Sequence, residues 1–397
     1  MSYKKTAIFL MLCISVVITS CAAHTPSEPL SSTVSSEELL DNSFSNLVSV
    51  TDANLKTIVG SGSEDGFYEV KSTQNGHYIY FTDYVSQQQI ILCPIPNCQH
   101  NDSSCPGFLS SEFTDYAGVF ICGDKLILSC SAPSHQIPVA LYIMGLDGTE
   151  KKLLHQFSAN ETPHDPVLFD GQAIYYVLSK VSYSSDEKKP IYSASLYRLD
   201  FASGENTEIS TLGSQDSIAG IVSGNIIIKS VSSDKCNLSV VSTNGEKTSL
   251  DFTWPIKYPT YMTSNSIFFL SDDLAIQRYN YSNKEVTSFV LPDELHSATG
   301  ITFDGFWDDK LFLIIFTSDN SIKEVAVDME SGEIKDVLLC GLDSSGQRKR
   351  PLCIATEFND YFLVETGTID DSQSQRALIL KDDYWAGNPN YMYIKKQ

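Results

Sequence analysis

The chain reads as an all-β protein, a propeller of about seven four-stranded blades, with six as the alternative count. Three observations carry that reading. From Gly66 onward, short β-branched and aromatic runs alternate with Gly, Asn, Asp and Ser, and no convincing amphipathic helix interrupts them. One phrase, a turn residue or two followed by an apolar strand, recurs with starts 41 to 53 residues apart, the length of a blade. A second phrase, strand, tight turn, strand, follows most copies of the first.

The first twenty residues have the form of an export signal. Lys4 and Lys5 supply the positive start, and AIFLMLCISVVIT is an apolar run too short to span a bilayer comfortably. It ends in Ile18-Thr19-Ser20-Cys21, which resembles the lipobox of bacterial lipoproteins. The resemblance implies cleavage after residue 20, leaving a diacylated Cys21 as the new N-terminus and the protein anchored on the extracytoplasmic face of a bacterial cell membrane. The alternative is an ordinary signal peptide with an incidental cysteine. Residues 21–50 are rich in Ser, Pro and Glu with little apolar content, the composition of a disordered tether. Residues 51–397 are assigned to the propeller.

The chain carries 49 Asp and Glu against 27 Lys and Arg, a formal charge of −22. Such a field repels phosphate backbones and argues against nucleic acid as the main partner.

The recurring first phrase reads NGHYIYFTD (75–83), CGDKLILS (122–129), DGQAIYYVLS (170–179), SGNIIIKS (223–230), SNSIFFLSDD (264–273), DDKLFLIIF (308–316) and NDYFLVET (359–366). The run 311–316 lacks alternation, as a strand covered on both faces should. The second phrase occupies 141–154, 195–210, 238–250, 276–291 and 322–339. Asp147-Gly148 and Asn244-Gly245 supply the positive φ of two-residue hairpins. A unit is therefore an inner strand, an apolar central strand and an outer hairpin. Radial stacking buries both faces and ring closure protects the edges; two β-sandwiches are the competing arrangement.

Ile79-Tyr80-Phe81-Thr82-Asp83 resembles the YWTD signature of low-density-lipoprotein-receptor propellers, and LYIMGLDGTEKKLL resembles the TolB-type repeat. With the lipobox and LCPIPNCQH-x4-C, nearly the whole mature chain resembles uncharacterised clostridial-type propeller lipoproteins. The resemblance implies fold and envelope location, and no activity.

Cys93, Cys98, His100 and Cys105 form C-x4-C-x-H-x4-C. Three thiolates and an imidazole suit a closed tetrahedral Zn²⁺ site of structural type, worth on the order of 10 kcal/mol to the loop. A disulfide, favoured by an oxidising compartment and adding about 3 kcal/mol, and free buried thiols are the alternatives. Cys122 and Cys130 flank GDKLILS at an even offset and are expected on one face. Cys340 and Cys353 bracket GLDSSGQRKRPL and would staple it, while Cys236 reads as a free buried thiol.

No nucleophile elbow, H-E-x-x-H, phosphate loop, dinucleotide fingerprint or D-x-D-x-D-G calcium loop occurs. Asp272-Asp273 and Asp308-Asp309 read as turn residues. Connections between blades would bring Asp115, Tyr116, His164, Asp165, Asp216, Tyr258, Tyr261, His296 and Arg350 to the channel mouth. Of these, His164 with Asp165, Tyr258 and His296, together with the basic run Arg348-Lys349-Arg350 that contains Arg350, are the ligand-binding candidates. The aromatic C-terminal phrase, with Tyr384, Trp385, Tyr391 and Tyr393, is expected to pack the ring shut; an exposed sugar platform is the alternative. No catalytic residue is assigned. The function expected is a binding or scaffold module for protein, peptide or glycan. A polysaccharide- or cell-wall-directed hydrolase or lyase and a TolB-like envelope accessory are the alternatives.

Overall fold

A computed structural model describes residues 46–51, 60–73, 76–109, 118–130, 139–183, 189–318, 321–342, 349–366 and 375–396. The protein is a seven-bladed β-propeller. Blade 1 spans 66–109 and is completed by Lys395–Lys396, and blades 2 to 7 span 118–156, 161–212, 217–255, 260–290, 300–336 and 353–393. Each of the seven copies of the first phrase becomes the turn into, and most of, the second strand of a blade. Its side chains point to both neighbours: Ile226 and Ile228 reach blade 3, whereas Ile227 reaches blade 5. This is why these strands tolerate no polar alternation. Among the described residues the buried apolar side chains fall into seven clusters, each bridging two adjacent blades, and the seventh joins blade 7 to blade 1. Seven interfaces for seven blades is a closed ring.

Closure does not follow the plain repeat. The third strand of blade 1 is split into Gln88–Ile91 and Phe108–Leu109, both paired with the second strand Gly76–Asp83. Its outer edge is supplied by the chain's end, Lys395–Lys396, running parallel to Gln88–Gln89. In blade 7 the short helix Lys381–Ala386, capped by Gly387 in the left-handed conformation, leads to the last strand. This six-residue helix interrupts the all-strand pattern expected from the sequence. Its Tyr384 is buried between blades 6 and 7, and Ile394 is buried between blades 7 and 1. The C-terminal aromatics Tyr384, Trp385 and Tyr391 therefore pack blade 6 against blade 7 and do not sit at the closing seam, and Tyr393 is half exposed.

The seam between blades 7 and 1 is polar at its centre. Glu69 of the first strand of blade 1 accepts from Arg376 at 2.9 Å and Gln89 at 2.8 Å, and pairs with Lys71 at 2.9 Å. Tyr84 stacks on Phe358 with ring centroids 3.7 Å apart.

The first strand of each blade edges the central channel. Gly60–Gly62 adds to that edge in blade 1 and touches the first strands of blades 2 and 7. Val48–Ser49 adds to the same edge of blade 3, with Leu47 buried between blades 3 and 4. Leu47 is the first buried side chain among the described residues. Cys21 and the rest of residues 1–45 lie outside the described residues. Among the described residues no helix is long and apolar enough to cross a membrane.

Candidate functional site

The strongest convergence of chemistry-bearing side chains is in blade 1. Leu92 N–H donates to the carbonyl of Ile79, and Ile79 N–H donates to the carbonyl of Gly107, both at 2.9 Å. The excursion between Leu92 and Gly107 therefore leaves and rejoins the sheet at one residue, the form of an Ω-loop. Asn97 and His100 take left-handed φ values of 58° and 52°, which folds the loop back on itself. As a result the Sγ atoms of Cys93, Cys98 and Cys105 and a ring nitrogen of His100 all lie within 4.8 Å of one another. His100 Nδ1 is 3.2 Å from Cys105 Sγ. Cys105 is fully buried and the other three are half-buried. The His100 backbone N–H holds the Cys98 thiol below its ordinary value, whereas burial and the neighbouring Cys93 push Cys105 up to about 12. The donor set fits a four-coordinate ion of Zn²⁺ type.

Among the described residues the remaining cysteines form no disulfide. Cys122 and Cys130 do not share a face: Cys122 packs toward blade 3 and Cys130 toward blade 1. Their even offset does not put them on one face because Gly123 and Asp124 form a turn, so the two belong to successive antiparallel strands. No disulfide joins Cys340 to Cys353; Cys340–Leu342 instead pairs with Lys349–Pro351 through the backbone. Cys236 is buried and free, as read from sequence.

The expected channel-mouth residues are dispersed. His164 lies on the first strand of blade 3, and its Nε2 is 2.8 Å from Ser179 Oγ. Burial by the surrounding protein lowers its pKa, although the residue keeps solvent exposure. Asp165 accepts from Thr51 Oγ1 at 2.8 Å, and Thr51 Oγ1 accepts from Val167 N–H at 2.7 Å, so the N-terminal segment occupies this aspartate. Tyr258 donates to Asp272 at 3.2 Å beside Lys257, which also pairs with Asp272. Asp216 pairs with Lys247 at 3.0 Å. Tyr261 is buried against Phe303 and is a core residue, because its strand position turns it into the interface of blades 5 and 6. His296 sits in the 3-10 helix Asp293–Ser297 and Arg350 in the strand Lys349–Pro351, but their side chains lie outside the described residues, as do Asp115, Tyr116 and Arg348. Asp308 serves the interface of blades 6 and 7: it accepts from Trp385 Nε1 at 2.9 Å and pairs with Lys381 at 3.2 Å.

A groove absent from the sequence reading lies between blades 2 and 3. It encloses a cavity of about 350 Å³ lined by Phe169 and Phe201, with Asp124, Lys125, Glu150 and Lys152 around it. The two rings stack at 5.5 Å. These residues come from turns at the ends of strands, opposite the expected mouth: Gly123 and Asp124 close one hairpin, and residues 201–205 another. No local signal marked them, because each turn looks like an ordinary polar turn alone.

No protein-family model and no curated protein matches the chain. Solved structures match its fold. A puromycin-hydrolyzing peptidase from Mycobacterium tuberculosis matches over 89% of this chain and 55% of its own, with a TM-score of 0.51 and 11% identity. An acylaminoacyl peptidase from Pyrococcus horikoshii matches over 88% and 52%, at 0.51 and 10% identity. An uncharacterized protein from Listeria monocytogenes matches over 86% and 94%, at 0.50 and 14% identity. The chain spans about half the length of the two peptidases. At these identities the likeness is one of fold.

Proposed function

We propose that the protein is a lipid-anchored binding scaffold on the extracytoplasmic face of a bacterial membrane, of the clostridial propeller-lipoprotein kind. Its binding site is the groove between blades 2 and 3, and its ligand is a peptide or glycan segment. The observation that carries this reading is the groove itself. Half-buried Phe201, stacked on buried Phe169, gives the groove an apolar floor, and charges of both signs stand around it within one cavity, the composition of a recognition site. The Cys21 phrase supports the anchor, since two acyl chains hold a protein to a bilayer.

The test is binding of the purified protein to peptide and glycan arrays. Phe201→Ala and Lys125→Glu should each abolish the signal, and His164→Ala should leave it intact. Retention of all binding by both groove variants would sink the assignment. For the anchor, fatty-acid labelling should mark the protein and vanish in Cys21→Ala, which should appear in the medium.

The hydrogen bond of His164 to Ser179 favours a second reading, a hydrolase working at the channel mouth. A neutral imidazole beside a hydroxyl can act as its base. That reading requires turnover that disappears in both Ser179→Ala and His164→Ala.

A further inference from the structure

The excursion in blade 1 has almost no core of its own. Ile95 is half exposed, and within the loop only Leu92 and Cys105 are buried apolar side chains. Its internal backbone bonds are few: Cys98 N–H to Ile95 at 3.3 Å, and Cys105 N–H to Asp102 at 3.1 Å. Yet the loop stands where blade 1 most needs support. It interrupts the third strand, and blade 1 has no outer hairpin, its outer edge being two residues from the chain's end. In the regular blades that place is filled by a local antiparallel hairpin.

Blade 2 bears on this loop directly. Lys151, next to the outer turn of blade 2, donates through Nζ to the carbonyls of Pro106 at 2.9 Å and Phe108 at 3.3 Å. Gly148 of the same turn, at φ 82°, is packed on Leu92 so closely that a Cβ would meet the Leu92 carbonyl at 3.1 Å. The turn of blade 2 thus touches both ends of the excursion.

We propose that Cys93, Cys98, His100 and Cys105 hold one structural zinc ion that fastens the broken third strand of blade 1 against the outer turn of blade 2, in place of the hairpin blade 1 lacks. Zinc bonds of about 2.3 Å to sulfur and about 2.0 Å to nitrogen place tetrahedral donors roughly 3.5–3.8 Å apart. The observed limit of 4.8 Å requires the donors to draw in by about an ångström, within reach of side-chain rotation. Soft thiolates with one imidazole select zinc over magnesium, calcium or manganese. All four positions are filled by protein, so the ion keeps no open site for catalysis. Binding releases one proton from each of the three thiols, and the resulting centre of one Zn²⁺, three thiolates and a neutral imidazole carries a net charge of −1. Lys151 supplies a matching countercharge beside the loop: its ammonium is fixed on carbonyls one and three residues beyond Cys105. A disulfide between two of the three cysteines would leave the third sulfur and the aimed imidazole without a role.

The full chain, purified in detergent without chelator, should show one zinc per molecule by native mass spectrometry and elemental analysis. All three thiols should be alkylated once the ion is removed under denaturing conditions. Titrating the stripped protein with Co²⁺ should give the intense visible bands and the near-ultraviolet thiolate charge-transfer band of a tetrahedral site, at a stoichiometry of one. His100→Cys should keep the metal with a shifted spectrum, and Cys105→Ser should lose it. Lys151→Met should bind the same single ion about 10–100-fold more weakly, and hydrogen exchange should rise in both 92–107 and 147–151 when the metal is stripped from the unmodified chain. A metal-free mass short by two hydrogens, with only one of the three thiols alkylatable, would overturn the proposal in favour of a disulfide. A metal-free protein with three free thiols and no Co²⁺ spectrum would overturn it outright. Unchanged exchange in 147–151 would overturn the clasp between blades.

Discussion

Glu69, at the seam of blades 7 and 1, and Glu324, in blade 6, are both almost fully buried, at 3% and 5% exposure. Their electrostatics are opposite. Burial alone would raise the pKa of Glu69, but Arg376 and Lys71 outweigh it and hold the carboxyl below its ordinary 4.5. At Glu324 burial acts with the nearby Asp304 carboxyl, and the pKa rises to about 9. Neither Glu324 oxygen has a well-formed hydrogen bond, nor does the hydroxyl of Tyr384, which the Glu324 and Asp304 carboxyls influence. Depth does not decide the protonation state of a buried acid; the residue facing it does. The seam joins the two ends of the chain with a directional ion pair, whereas the interface of blades 6 and 7 joins consecutive repeats and tolerates a neutral, proton-holding acid.

The largest test breaks the seam. Arg376→Met should cost about 1.5–3 kcal/mol in urea unfolding, because buried Glu69 loses one charged partner and keeps only Lys71 as a cation. The double change Glu69→Leu with Arg376→Met should regain most of that loss. If the double variant is as unstable as the single one, the ion pair is not what closes the ring.

Glu324→Gln should act the other way, stabilising the protein at pH 8 by about 1–3 kcal/mol. The sign follows from linkage. With a folded pKa of about 9 against an ordinary 4.5, the folded state holds a proton that the unfolded chain has lost, so stability falls as pH rises between those values. The glutamine variant should flatten that slope, as measured by midpoint against pH.

At the seam the pH dependence is reversed. The Glu69 contribution is fully present above 4.5 and is lost as pH falls below it through the lower folded value. Acid unfolding of the Glu69→Leu/Arg376→Met chain should lack this component. A smaller effect gauges the non-ionic part of the seam. Phe358→Leu removes the stack on Tyr84 and should cost about 1 kcal/mol beyond the loss of area.

Much of this molecule was legible in the text of the chain. Ile226-Ile227-Ile228 and Leu311-Phe312-Leu313 sit in strands buried on both faces, so they carry no polar alternation, and their spacing counts the blades. Cys93, Cys98, His100 and Cys105 were legible because all four lie within one loop, where spacing limits distance. Cys122 and Cys130 were misread because an intervening turn resets the face that a side chain sees. The groove was invisible because Asp124, Glu150 and Phe201 belong to separate turns, and Phe169 to a strand end, of two repeats. The pairing of His164 with Ser179 was hidden for the same reason, since neither position signals its cross-strand partner.

Local pattern alone was enough for the strand types, the repeat length and the grouping of the four donors. These depend on periods of two and on chain distances of a dozen residues or fewer. The joining of Lys395–Lys396 to Gln88–Gln89, the pairing of Arg376 with Glu69, and the opposed states of Glu69 and Glu324 arise only once seven interfaces have closed the ring. Such contacts span hundreds of residues, and no local propensity encodes which buried acid will meet a cation.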